Sequence, residues 1–337
     1  MLTDKRDGYS TNGPEILLSF VIPTYKGWAR LPIILTSINK LISAFPEQHF
    51  EIILCCNAQD EPPPNFFTPI ANCCVVVRNN PTNIGADANF LTALSYARGR
   101  YSWLLGDDDE LCDGGGSEVL RLATTGEHSL LVTCYEKRSR SSSVVVKHNI
   151  GEHPVIVKKP EEMLRICGTR GAFMSILIYR TEILHLVLAL GNCGRFVGTF
   201  VVQYHLALEV IRQGALRGMS GLILPCIGVI QYERLNEEFH YINAGYYLAL
   251  DNLADYRGIL GNGSRKHITS CFTYRNIVGA ILVEKIHQTH SARIAVVRGL
   301  LFRRSIRYWF LIAPLEFLPT FVARFIYRLV LRIKHTR

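Results

Sequence analysis

NPTNIGADANFLTALSYARGRYSWLLGDDDEL, residues 80–111, places a helix pattern, a strand pattern and an acidic loop in direct succession. DANFLTALSYARG carries apolar residues at helical spacing and is expected to stop at Gly99, and YSWLL reads as a short buried strand. That strand runs straight into Asp107, Asp108 and Asp109. Three adjacent ionised carboxylates repel one another, so the fold must either spread them into water or give them a cation.

Working back from this stretch, ILLSFVI, FEIILCC and CCVVV read as buried strands, and LPIILTSINKLISAF has the spacing of an amphipathic helix. Strand and helix patterns in alternation predict an α/β fold, a mostly parallel, Rossmann-like sheet covered by helices. Ligands of such sheets gather at the carboxyl ends of the strands. The unusual residues of the first half all fall there: Pro23, Thr24 and Tyr25 after the first strand, residues 57–60 after the second, 79–85 after the third and 107–109 after the fourth.

Beyond residue 130 the pattern is looser. SLLVTCY is expected to be a fifth strand, RSRSSS a polar turn, and VVVKHNIGEHPVIV a hairpin. AFMSILIYR reads as a strand entering the helix TEILHLVLAL, residues 199–213 as a helix stopping at Gly214, and GLILPCIGVI as a last strand. The expected organisation is a lead-in over 1–15, one domain over 16–235 with halves meeting near residue 125, a helical extension over 236–297, and a basic tail over 298–337.

The net charge of +9 belongs to that tail: residues 298–337 hold nine Lys/Arg and one acidic residue, Glu316, leaving 28 basic against 27 acidic side chains elsewhere. A near-neutral body argues against a nucleic-acid partner. Ten cysteines form no C-x-x-C pair, and the doublets Cys55-Cys56 and Cys73-Cys74 lie in strand patterns that send neighbours to opposite faces. They read as buried, reduced thiols of a cytosolic protein, and the polar opening MLTDKRDGYSTNGPE does not read as a signal peptide.

A carboxylate cluster at a strand end suits Mg2+ or Mn2+, which take hard oxygen ligands and share them with a substrate's phosphates. With LSFVIPTYKGWARLPIILTSI and FEIILCCNAQDE, the stretch 80–111 resembles the first half of the family 2 glycosyltransferases of GT-A fold, and among them the abequosyltransferase type that builds bacterial surface polysaccharide. The resemblance is close over 16–125 and loose over 160–235. It implies that Pro23, Thr24 and Tyr25 line the base and ribose of a nucleotide, that Asn83, Gly85 and Asn89 shape the wall beside it, and that residues 107–109 are the DxD motif holding a metal and the donor's diphosphate.

The motif departs from the family at three places. Gly106 stands where many relatives have the first aspartate, moving the weight onto Asp107 and Asp109 or onto Asp108 alone. Cys56 replaces the usual aspartate after the second strand, leaving Asn57 or Asp60 to recognise the base. The Glu-Asp pair that supplies a general base falls at Val202-Gln203, neither of which can take a proton. His205, with Glu209 one turn along the same helical face, is the expected substitute, against the plainer reading of a histidine bonded at the core edge.

The resemblance therefore implies a metal-dependent, inverting transferase that moves a sugar from a nucleotide-sugar donor to a lipid-linked or saccharide acceptor at the inner face of a bacterial inner membrane. Two other readings compete. A nucleotidyltransferase would carry a glycine-rich basic loop after the first strand, of which PTYKGWARLP is a poor version. A degenerate, membrane-bound scaffold would explain Cys56 and the lost Glu-Asp pair.

The tail is apolar, aromatic and basic together. Pro314 and Pro319 interrupt a stretch that falls short of the roughly 20 apolar residues a span needs. Arg324, Arg328 and Arg332 recur every four residues beside a face of Phe321, Phe325, Leu329 and Ile333. An anionic membrane surface satisfies both halves of that amphipathic pattern, while the alternative is a terminal helix packed on the body.

Overall fold

Parallel strands buried on both faces are written as unbroken apolar runs, and β1 (Ile16–Thr24) and β2 (His49–Asn57) are of this kind, with every residue after the first buried. The structure, a computed structural model, describes residues 14–58, 71–138, 145–149, 151–199, 201–232, 281–282, 285, 306 and 308–326. Between β1 and β2 runs α1 (Leu31–Ser43), which buries Leu31, Ile34, Leu35, Ile38, Leu41 and Ile42 along one stripe. The remaining elements are β3 (Cys73–Asn80), α2 (Ala86–Ser95), β4 (Tyr101–Leu104), β5 (Asp109–Leu111), α3 (Asp113–Thr125), β6 (His128–Arg138), β7 (Val145–His148), β8 (Val155–Val157), α4 (Pro160–Cys167), β9 (Leu177–Arg180), α5 (Thr181–Ala189), α6 (Val202–Ala215) and β10 (Ser220–Tyr232).

All ten strands join one sheet in the order β3-β2-β1-β4-β9-β6-β10-β5, with β7 on β6 and β8 on β10. The first four are parallel, with Pro23 opposite Cys55 and Thr24 opposite Cys56. The second half is mixed: β9 runs antiparallel between β4 and β6, β10 is parallel to β6, and β5 and β8 are antiparallel to β10. Because β9 opposes β4, it enters the sheet at the rim where β4 leaves. Residues 173–176 and 106–109 therefore meet. Alternate residues of each strand feed two cores, one beneath α1 and α3 and the other beneath α2, α4, α5 and α6.

Several expected boundaries move. The α2 helix stops at Ser95, because Gly99 is needed elsewhere: its N–H donates to Ser19 Oγ at 2.8 Å, and a Cβ there would lie 2.7 Å from the Ser19 backbone nitrogen. Gly114, Gly115 and Gly116 lie inside α3, where Gly115 lets the helix touch the β10 backbone. The expected hairpin is two strands that never pair with each other, β7 bonding to β6 and β8 to β10. The last long helix passes through Gly214 to Ala215.

One charge is built into the first half. Glu51 of β2, fully buried, accepts from Ser19 Oγ at 2.6 Å, from the Arg98 backbone N–H at 2.6 Å and from the Arg98 guanidinium at 3.0 Å. Near the C-terminus, helical turns over Tyr308–Phe317 and Thr320–Ile326 meet at 118°, broken at Leu318 and Pro319. No single helix among the described residues is long and apolar enough to cross a membrane. Most of the expected helical extension, and Arg328 and Arg332 of the tail, lie outside the described residues.

Candidate active site

The acidic triplet is resolved partly by a cation, and that cation belongs to the protein. Asp107 follows β4 and accepts from Thr24 Oγ1 at 2.6 Å and from Arg30, whose Nη2 lies 2.6 Å from Oδ2 and whose Nε lies 3.1 Å from Oδ1. This two-pronged grip is the strong geometry for arginine and carboxylate. Arg30, just ahead of α1, also donates to the Tyr25 carbonyl at 3.2 Å, tying the end of β1 to the acidic loop. The clasp needs Gly27, since a Cβ at that position would lie 2.1 Å from both Asp107 Oδ2 and Thr24 Oγ1.

Asp109 is held differently. It accepts from the Ser175 hydroxyl and from the Gly106 N–H at 3.2 Å, while the indole of Trp103 fixes the Ser175 carbonyl at 2.8 Å. Burial, then the neighbouring Asp108 charge, pushes its pKa up to about 7 against the opposing hydrogen bonds from Ser175 and Gly106, with Asp107 adding a smaller upward push. The glycine in the family's first-aspartate position now has a physical reason: a Cβ at 106 would lie 2.6 Å from Asp109 Oδ2.

The triplet thus divides its roles. Exposures of 5%, 9% and 2% for Asp107, Asp108 and Asp109 make Asp108 the most open of the three. Among the described residues no three His, Cys, Asp or Glu side chains converge on a common point. With Asp107 gripped by Arg30 and Asp109 folded against Ser175, the donor set does not fit a resident three-carboxylate metal centre.

The adjoining wall is an asparagine network. Asn57 Nδ2 donates to Asn83 Oδ1 at 2.7 Å, and Asn57 Oδ1 accepts from the Ile84 N–H at 2.9 Å. Asn83 Oδ1 also accepts from the Gly85 N–H at 2.9 Å, which closes the loop entering α2. Beneath it, Asn89 donates to the Cys55 carbonyl at 3.2 Å and accepts from Asn80 at 2.8 Å. Asn57 and Asn89 are buried with their amides committed in this way. Asn83 and Gly85 form its exposed edge.

Cys56 is a buried thiol pushed up to about 11 by desolvation, and it replaces the family's carboxylate without its charge. Asp60 lies outside the described residues. Tyr25 is exposed at the mouth, Pro23 and Thr24 are buried beneath it, and positive φ angles at Lys26 (+50°) and Ala58 (+58°) turn the chain sharply after β1 and β2.

His205 and Glu209, the expected base pair, are both buried. His205 is 1% exposed and stacks on Phe196 with ring centroids 3.5 Å apart. Burial, helped by the Arg195 charge, pushes its pKa down to about 3, which disfavours the charged ring. Glu209 is fully buried and grips Arg212, with Gln213 donating at 3.3 Å. Helical spacing correctly placed the two on α6, but all of α6 from Val202 to Ile211 is buried.

Sequence reasoning missed Arg30 and Ser175. A signal for Arg30 was present, because YKGWAR puts two cations on the loop after β1. None existed for Ser175, which reaches Asp109 only through the antiparallel entry of β9.

Residues 19–185 match the family model described as glycosyl transferase family 2. The abequosyltransferase RfbV of Salmonella typhimurium is 35% identical over 103 residues, a match covering 28% of this chain and 29% of that protein. Among solved structures, Staphylococcus aureus TarS superposes with a TM-score of 0.54 at 13% identity, covering 86% of this chain and 52% of that one. A TarS structure in complex with UDP-GlcNAc gives 0.53 at 12% identity, covering 86% and 87%. Through residues 19–185, this chain carries a glycosyl transferase family 2 domain.

Proposed function

We propose that the chain transfers a sugar from a nucleotide-sugar donor to a hydroxyl of a lipid-linked or saccharide acceptor, with inversion, in the synthesis of a bacterial surface polysaccharide such as lipopolysaccharide O-antigen or an exopolysaccharide. The observation that carries this reading is the clasp of Asp107 by Thr24 and Arg30, with Asp108 beside it, at the rim where the wall of Asn83 and Gly85 also opens. The acceptor oxygen bonds to the anomeric carbon as the bond from that carbon to the diphosphate breaks. The nucleoside diphosphate leaves with the electron pair, and the acceptor's proton is released.

Arg30, half exposed at the mouth, places positive charge where the leaving diphosphate gains negative charge. A Mg2+ or Mn2+ ion arriving with the donor would be held by Asp108 and would supply further neutralisation of the departing diphosphate. Residues 16–125 would hold the donor and 126–235 the acceptor, at the cytoplasmic face of the inner membrane.

Hydrolysis of UDP-, GDP-, CDP- and dTDP-sugars, with and without Mn2+, tests the reading. One donor class should be turned over in a metal-stimulated reaction that Asp108→Ala abolishes. No turnover of any nucleotide sugar by the intact chain would reject it.

A further inference from the structure

We propose that residues 308–326 insert into one leaflet of an anionic lipid bilayer and fix the body of the protein to the membrane. Phe310, Phe317 and Phe321 are 78%, 85% and 75% exposed, and Ile306, Trp309, Leu311 and Phe325 are exposed beside them. A run of large apolar side chains open to water in one short segment marks an interaction surface. The opposite side of the same segment is closed: Tyr308, Ile312 and Ala313 join the core that contains Ile281 and α6.

Charge identifies the partner. Glu316, the one acidic residue in 298–337, is turned inward: its carboxylate accepts from Tyr308 Oη at 3.3 Å and its carbonyl from Lys285 Nζ at 2.8 Å. Apart from Thr320 and Arg324, the exposed residues of 308–326 are apolar, and Arg303, Arg304, Arg307, Arg328 and Arg332 adjoin the segment in sequence. Aromatic rings with arginines around them match an acyl layer below anionic headgroups, while a second copy of this cationic surface would be repelled. The 118° bend at Pro319 turns the chain back, and neither arm approaches the ~20 residues of a span, so insertion stays within one leaflet.

Binding of the full-length chain to phosphatidylethanolamine/phosphatidylglycerol vesicles, compared with phosphatidylcholine, tests the proposal. Of the three tryptophans Trp28 and Trp103 are buried, so a vesicle-dependent blue shift, with quenching by brominated acyl chains, should come from Trp309 and vanish in Trp309→Phe. The combined variant Phe317→Ser, Phe321→Ser, Phe325→Ser should lower the bound fraction by about tenfold or more with the thermal melt unchanged, since these side chains touch water and not the core. Two results would overturn the proposal: Trp309 emission blind to anionic vesicles, or a triple variant that floats like the parent. Self-association abolished by the triple variant, without vesicle binding, would assign the surface to a second copy instead. Vesicle binding needs no donor turnover, so its outcome is separate from that of the transferase reading.

Discussion

Asp107, clasped by Thr24 and Arg30, and its neighbour Asp108 should be separable by substitution. Asp108→Ala is expected to abolish donor turnover with the melting temperature unchanged, whereas Arg30→Lys keeps the charge but loses the fork that holds both Asp107 oxygens. Steady-state kinetics on Arg30→Lys should show donor kcat/KM lowered by about tenfold or more, roughly the 1.5–3 kcal/mol of a charge-assisted bond. Equal kcat/KM for the variant and the parent would remove Arg30 from the donor site. His205 supplies a stability prediction. Its folded pKa of about 3 lies below the usual 6.5, so the native state binds fewer protons than the unfolded one between those values. The histidine's contribution is intact above pH 6.5 and is lost as pH falls toward 3, by up to ~1.4 kcal/mol per pH unit. Denaturant unfolding across that range should show a shallower acid limb in His205→Gln; an unchanged limb would mean that His205 titrates normally and is open to solvent.

At the scale of elements, most strands and helices of both halves were legible, while the strand pairing of the second half was not. β1, β2 and β4 announce themselves because both faces are buried, and α1 because its apolar stripe recurs at helical spacing. β5 spans three residues, two of them acidic, and is a strand only because Val229–Gln231 lies beside it. β7 and β8 have local strand character, but nothing in VVVKHNIGEHPVIV says that their partners are β6 and β10. The same limit governed the site: the rim could be read from strand ends, while the Asp109 partner and the burial of α6 depend on distant packing. Glu51 illustrates an element held by a charge that reads as an ordinary strand residue. Glu51→Ala should cost about 2–4 kcal/mol in chemical denaturation, because Ser19 loses its acceptor inside the protein and the Arg98 N–H keeps only its longer bond to Ser19 Oγ at 3.2 Å.

For the whole molecule, β10 is the keystone of the second half, since β5, β6 and β8 all hydrogen-bond to it. A chain ending at residue 219 should therefore lose cooperative thermal unfolding and expose three strand edges, which limited proteolysis would reveal as rapid cleavage within β6. A protease-resistant truncated core would show the first half to be self-sufficient. The pairing of β5 with β10 also sets an order of events during synthesis. Glu110 and Tyr232 meet across 122 residues of chain, so the strand that begins at Asp109 has no partner until nearly all of the domain has left the ribosome. Such a distant contact is closed late in folding. Nascent chains are then expected to carry the aspartates in an unfinished state, and competence for the donor arrives only with β10.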